Sequence, residues 1–218
     1  GMADGKDKRS RFELLMQTAN ISLDIMDAYF SDGMLERVET SRSNREWTFV
    51  LSKDTLVPQE VFLQFSRLIQ NHFAHIAKVR FVLLYGPQVE DEPLVREYWP
   101  LFVEWLQREM VSVNGWLSTV QIEVAEKTLY VTFRDKVSLE MARKKRLDQF
   151  VQRFFEQFLG RTYQVRLEMG ETSEEEYERF MEKIAQEELA AAKELLEANE
   201  MAKEHAEPAP GEIGRAHV

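Results

Sequence analysis

The sequence predicts an α+β fold: two small domains of similar helix-helix-strand-strand-helix-strand order, then a charged C-terminal helix. Three observations predict it. First, Val61, Phe65, Leu68, Ile69, Phe73 and Ile76 fall three and four apart, the spacing of one helix face, and the pattern then switches to alternation at Val79, Phe81 and Leu83. A helix that feeds directly into a strand must bury its apolar stripe on a sheet. Second, the same order of elements recurs after the polar connector Glu90-Asp91-Glu92-Pro93. Third, the composition changes at Glu171 to Ala, Glu, Lys and Leu.

The elements follow in order. Residues 1–9 are charged and small, which predicts disorder. Residues 10–88 form the first domain. Phe12, Leu15, Met16 and Ala19 give a helical face, and Asn20 or Ser22 is placed to cap a second short helix with Leu23, Met26, Ala28, Tyr29 and Phe30. Leu35–Thr40 and the alternating run around Trp47, Phe49 and Leu51 read as strands joined by the turn cluster Ser41-Arg42-Ser43-Asn44. The helix from Pro58 to Ala77 and the strand after it complete this half.

Residues 92–170 form the second domain. Leu94–Met110 reads as a helix with Tyr98, Leu101, Phe102, Trp105 and Leu106 facing inward and a kink at Pro100. After a turn at Asn114-Gly115, Trp116, Leu117 and Val120 lead into a strand holding Ile122 and Val124. A hairpin at Ala125-Glu126-Lys127 returns through Leu129, Val131 and Phe133. Ser138 is placed to cap one long helix whose buried face is Leu147, Phe150, Val151, Phe154, Phe155 and Phe158. Gly160 ends it, and Tyr163, Val165 and Leu167 form the last strand. Residues 171–218 read as a solvated acidic helix and a Pro-containing linker. A capping box at Thr172 or Ser173 starts it.

The net charge of −10 belongs to the tail. Residues 171–207 hold 13 acids against 4 bases, whereas residues 1–170 hold 24 acids and 23 bases. The body is therefore close to neutral, and bulk charge decides nothing about nucleic acid. The absence of Cys removes disulfides and thiolate zinc sites and fits a reducing cytoplasm. No signal-peptide pattern follows Met2. No apolar run reaches the roughly 18 residues of a membrane span. Gly1 before Met2 and the end at Gly-Arg-Ala-His-Val read as a fragment of a longer chain, expected to be monomeric.

No catalytic constellation stands out. His72 and His75, spaced i, i+3, have metal-ligand spacing but no Cys, so a structural role at the helix end is expected. Glu90, Asp91 and Glu92 read as a solvated connector rather than a metal cluster. There is no phosphate-binding Gly-rich loop. No cofactor is expected. The main polar feature is Arg143-Lys144-Lys145-Arg146, placed in the early turns of the second long helix with Arg134, Lys136 and Arg153 nearby. Such a run suits phosphates, or is the exposed side of an amphipathic helix. Phe62, Trp116 and Phe155 lie at or beyond the edges of their stripes; core or domain–domain packing is the expected use of each, and an exposed patch of them would suit a protein partner.

The order helix, strand, strand, helix, strand resembles type II KH-like domains. Nucleic-acid-binding KH domains carry a Gly-x-x-Gly loop between helices. Neither half has one there; Gly211-Glu212-Ile213-Gly214 has the letters but sits in the tail.

Phe73-Ala74-His75-Ile76-Ala77-Lys78-Val79, at the helix-to-strand junction, resembles the N-terminal region of the PolC-type DNA polymerase III alpha subunit, a Gram-positive replicative polymerase. Arg11-Phe12 with Leu14-Leu15, Trp47 with Phe49, and Tyr98-Trp99 extend the resemblance over nearly the whole chain. The resemblance implies a part in chromosome replication. It implies a parent chain with polymerase and 3'-5' exonuclease activity whose metal-binding acids lie in domains this chain lacks. It makes Phe73, His75 and Lys78 a structural junction. The implied partner of the first domain, residues 10–88, is the tau subunit of the clamp loader, which would tether the polymerase in the replisome; DNA contacted by the second domain through Arg143–Arg146 is the alternative.

Overall fold

The computed structural model describes residues 2–110, 117, 119–170 and 173–205. Trp116, the turn at Asn114-Gly115, Thr172 and the tail from 206, with its linker and Gly-Glu-Ile-Gly run, lie outside them, as do the side chains of Leu23, Met26 and Ser173. The chain divides into two compact units, residues 1–170 and residues 171–218.

The first half of the larger unit runs α1 (Met2–Thr18), α2 (Leu23–Tyr29), β1 (Met34–Ser41), β2 (Glu46–Lys53), α3 (Gln59–Phe73) and β3 (Lys78–Tyr85). Its sheet has the order β1-β2-β3, with β1 antiparallel and β3 parallel to β2. The chain is helical where its composition predicts disorder. Lys8 holds α1 by ion pairs to Asp4 (3.1 Å) and to Glu36 on β1 (2.6 Å). Arg9 donates to the carbonyls of Phe30 and Gly33, both at 2.7 Å. Ser22 does cap α2: its Oγ accepts from Ile25 N at 3.3 Å.

Helix α3 ends four residues earlier than the periodicity predicts. Ile76 thus falls in a turn and is exposed, and Leu68 is exposed on the outer side of the helix. Phe65 and Ile69 are the buried anchors. Phe65 stacks on Phe30 at 4.5 Å and on Phe12 at 6.2 Å. Strand β3 alternates as expected, with Val79, Phe81, Leu83 and Tyr85 buried.

The second half runs α4 (Asp91–Glu109), β4 (Gln121–Ala125), β5 (Thr128–Phe133), α5 (Lys136–Lys144), α6 (Leu147–Leu159) and β6 (Gln164–Met169). Among the described residues a single helix precedes β4. The sheet order is β4-β5-β6, again antiparallel then parallel. Glu126 and Lys127 both have positive φ (49° and 66°), so the hairpin closes through a two-residue type I′ turn without the usual Asn or Gly.

The single long helix expected from Ser138 is two helices. Asp135 is the cap: its carboxylate accepts from Ser138 N (2.7 Å) and from Ser138 Oγ (2.8 Å). The helix breaks at Arg146, which is left-handed (φ 57°, ψ 51°). Gly160, with φ 61°, ends α6 as expected. An added Cβ there would lie 2.3 Å from Leu84 Cδ2 on β3, so glycine answers both the backbone and the close approach.

The two halves share one hydrophobic core. Phe62 of α3 meets Tyr98 of α4 edge-on at 6.3 Å, and α6 packs against β3. Tyr85 and Tyr98 share a buried 2.6 Å hydrogen bond; Tyr98 donates to Val57 O, and Tyr85 Oη accepts from Val57 N. Burial pushes the Tyr85 phenol up to about 12.

The smaller unit is α7 (Ser173–His205), 33 residues long, with Tyr177, Phe180, Leu189, Leu195 and Leu196 exposed. No described helix is long and apolar enough to cross a membrane.

Candidate functional site

The break between α5 and α6 changes what the basic run is. Arg143, Lys144, Lys145 and Arg146 do not lie along one helix. Arg143 and Lys144 end α5, Lys145 and Arg146 form the turn into α6, and all four are exposed. The turn is closed by Lys145 N to Met141 O (2.9 Å), Arg146 N to Arg143 O (3.1 Å) and Gln149 N to Arg146 O (3.1 Å). Arg143 and Arg146 line one depression of about 390 Å³ with Asp148, Gln149 and Leu167. Arg143 donates to Leu167 O at 3.4 Å, tying the turn to β6. The cations sit at the C-terminal end of α5, where the helix dipole favours positive charge. Arg153 points elsewhere and lines a different groove.

The left-handed Arg146 sets up a direct test. A side chain there costs about 1–2 kcal/mol that glycine would not pay. Arg146→Gly should raise the unfolding free energy by about 1 kcal/mol in a denaturant titration, while removing one cation from the turn.

The junction residues Phe73, His75 and Lys78 separate. Phe73 is half-buried, its ring 5.4 Å from Trp47 and 6.0 Å from Phe49. His75 is exposed beyond the end of α3, and His72 packs edge-on against Phe73 at 4.8 Å. Lys78 opens β3; its backbone N donates to Arg45 O at 2.8 Å and its side chain is exposed. Among the described residues no group of three His, Asp or Glu is arranged to hold a metal ion.

The acidic connector is not simply solvated. Asp91 Oδ1 accepts from Arg161 (2.8 Å) and from Tyr163 Oη (2.6 Å), and Asp91 Oδ2 pairs with Lys127 (2.8 Å). Arg161 also donates to the carbonyls of Val89 (2.7 Å), Gly86 (2.9 Å) and Tyr85 (3.4 Å). Burial would raise the Asp91 carboxyl, but the bonds from Lys127, Tyr163 and Arg161 outweigh it and hold it below the usual range. Burial and the Asp91 carboxylate push the Tyr163 phenol up.

A groove of about 590 Å³ lies between the halves, bounded by α3, β3, α4 and α6. Its floor includes the half-buried Phe62, Leu101, Trp105 and Phe158. On α4, Tyr98, Phe102 and Leu106 face the core. Leu101 and Trp105, also expected to be core, sit beside that stripe and open into the groove. Lys78, Arg80, Arg108 and Arg153 surround it, against the one acid Glu109. Of the three aromatics expected at stripe edges, Phe62 lines this groove and Phe155 is core, with no exposed surface. Sequence spacing could not show the groove, because its walls are brought together only by the packing of the two halves.

Residues 11–83 match the family described as DNA polymerase III polC-type N-terminus I, and residues 97–212 match N-terminus II. The DNA polymerase III PolC-type of Halalkalibacterium halodurans is 30% identical over 181 residues, covering 83% of this chain and 12% of that protein. That of Bacillus subtilis is 26% identical over 198 residues, covering 90% and 14%. The chain therefore spans only about an eighth of the length of these relatives. Among solved structures, APE1850 is 8% identical over 75% of this chain and 98% of that one. The TM-score of that match is 0.29. The chain belongs to the PolC-type DNA polymerase III family, of which it carries the N-terminus I and N-terminus II regions.

Proposed function

We propose that this chain is a non-catalytic, monomeric N-terminal part of a replicative DNA polymerase, with no cofactor of its own, that tethers the polymerase in the replisome through the tau subunit of the clamp loader. The observation that carries the reading is the groove between the halves, an apolar floor within a rim of cations on otherwise well-packed elements. Calorimetric titration of the fragment with the C-terminal region of tau tests it. Saturable binding is expected that weakens moderately with salt, because the exposed rim cations are screened while the apolar floor is not. A flat titration would sink the tether.

One observation favours a second reading. In the second half the helix, strand, strand, helix, helix, strand order and the antiparallel-then-parallel sheet are compatible with a type II KH-like domain. There the junction between two successive helices, where a KH domain carries its backbone clamp, has Arg143 and Lys144 at the end of α5 and Lys145 and Arg146 in the turn, with no glycine. On this reading short single-stranded DNA binds there. Affinity should fall steeply with salt, with a log-log slope of about −0.7 per phosphate contact. The Arg143→Glu, Arg146→Glu double variant should abolish it. DNA binding indifferent to that variant would discard the reading.

A further inference from the structure

We propose that the groove between the halves receives a short acidic peptide segment of a partner protein, seated by apolar side chains on Leu101, Trp105 and Phe158 and by carboxylates on the surrounding cations. The inference rests on the tethering reading and assigns its surface and the chemistry of its ligand.

Four cations border the groove and one acid does. Arg80 already shares Glu46 (3.0 Å) and Arg108 shares Glu104 (3.3 Å). Lys78 and Arg153 have no ion-pair partner within 4.0 Å among the described residues. Both are exposed, on β3 and α6 respectively. A ligand that brings carboxylates completes those pairs, and a basic one is repelled.

The floor argues for side chains rather than bases. A stacked base needs an open aromatic face. The Phe158 ring has the Arg80 guanidinium over it at 5.7 Å and packs edge-on to Trp105 at 6.1 Å. Trp105 is further hemmed by Phe154 at 5.6 Å and Phe150 at 6.2 Å. What remains accessible suits an aliphatic or aromatic anchor. The volume of about 590 Å³ takes a few side chains rather than a folded domain.

The experiment is a displayed library of random peptides selected on the intact chain and counter-selected on Arg153→Glu, a change at an exposed position that leaves the fold in place. Enriched peptides should carry Asp or Glu flanking Leu, Phe or Trp. Synthetic versions should bind wild type at least tenfold more tightly than Arg153→Glu. Replacing by Lys the one acid that pairs with position 153 should restore binding to the variant and weaken it on wild type. Basic consensus peptides, no enrichment, or equal binding to both proteins would overturn the proposal, as would full competition by a ten-residue oligothymidylate. The two readings fail separately. If tau binds and Arg153→Glu leaves its affinity unchanged, the tether stands and the groove assignment falls. If acidic peptides bind with the charge-swap pattern and tau does not, the groove stands and the tether falls.

Discussion

Arg161→Ala should lower the thermal midpoint of the chain by roughly 6–12 °C, the effect of about 3 kcal/mol in a unit of this size. The Arg161 side chain is 11% exposed and satisfies three backbone carbonyls and the Asp91 carboxylate. Alanine leaves those acceptors without their donor, and the desolvation cost of unpaired groups exceeds the modest gain from each bond when made. Differential scanning calorimetry checks it. A shift below about 2 °C, under 1 kcal/mol by the same scaling, would show that water replaces the guanidinium freely. Arg161→Lys should recover little, because one ammonium cannot span acceptors laid out for a planar fork.

Asp32→Ala should destabilise by about 3–5 kcal/mol, and Lys53→Met by less than about 1 kcal/mol, although both break the same ion pair. Lys53 sits on β2 with a fully buried side chain. Its ammonium donates to Asp32 and to Tyr29 O and lies 5.2 Å from the Phe30 ring centroid. Removing Asp32 leaves a charge in the core. Removing Lys53 leaves Asp32 partly exposed and still accepting from Asp54 N, Thr55 N and Thr55 Oγ1, each at 2.9 Å. Chemical denaturation of the two variants gives the asymmetry, and equal costs would refute it.

Acid should act through the same carboxyls. Burial opposes ionisation of Asp32 and Asp91, but hydrogen bonds from their partners prevail and both are held below the usual value. A carboxyl depressed in the folded state contributes stability that is fully present above its unfolded pKa, about 4, and is lost as pH falls through the folded value. Stability should therefore decline below about pH 4, and Asp91→Asn should flatten part of that decline in a pH series of denaturant melts.

Most elements were legible because their signals are local. The alternation of Val79, Phe81 and Leu83 and the stop at Gly160 are set by neighbours in sequence. The single helix from Ser138 failed because an apolar stripe runs on across Arg146, and nothing in the stripe reports a left-handed residue. Asp91 read as solvent-facing because its partners stand 36, 70 and 72 positions away. The burial of Lys53 leaves no mark in the sequence, because a lysine is buried only beside a carboxylate, and Asp32 stands far from it along the chain. The groove failed for the same reason: Leu101 and Trp105 fit a core stripe, and only tertiary packing turns them outward.

The shared core decides how this chain can be cut. A break near residue 90 would strip β3 of α6, part Phe62 from Tyr98 and leave Arg161 without the carbonyls of Tyr85 and Gly86. Each half would keep a three-stranded sheet with its flank open to water, prone to collapse onto a neighbour. Point substitutions on the folded chain can locate a partner's footprint, whereas isolated halves would report their own aggregation.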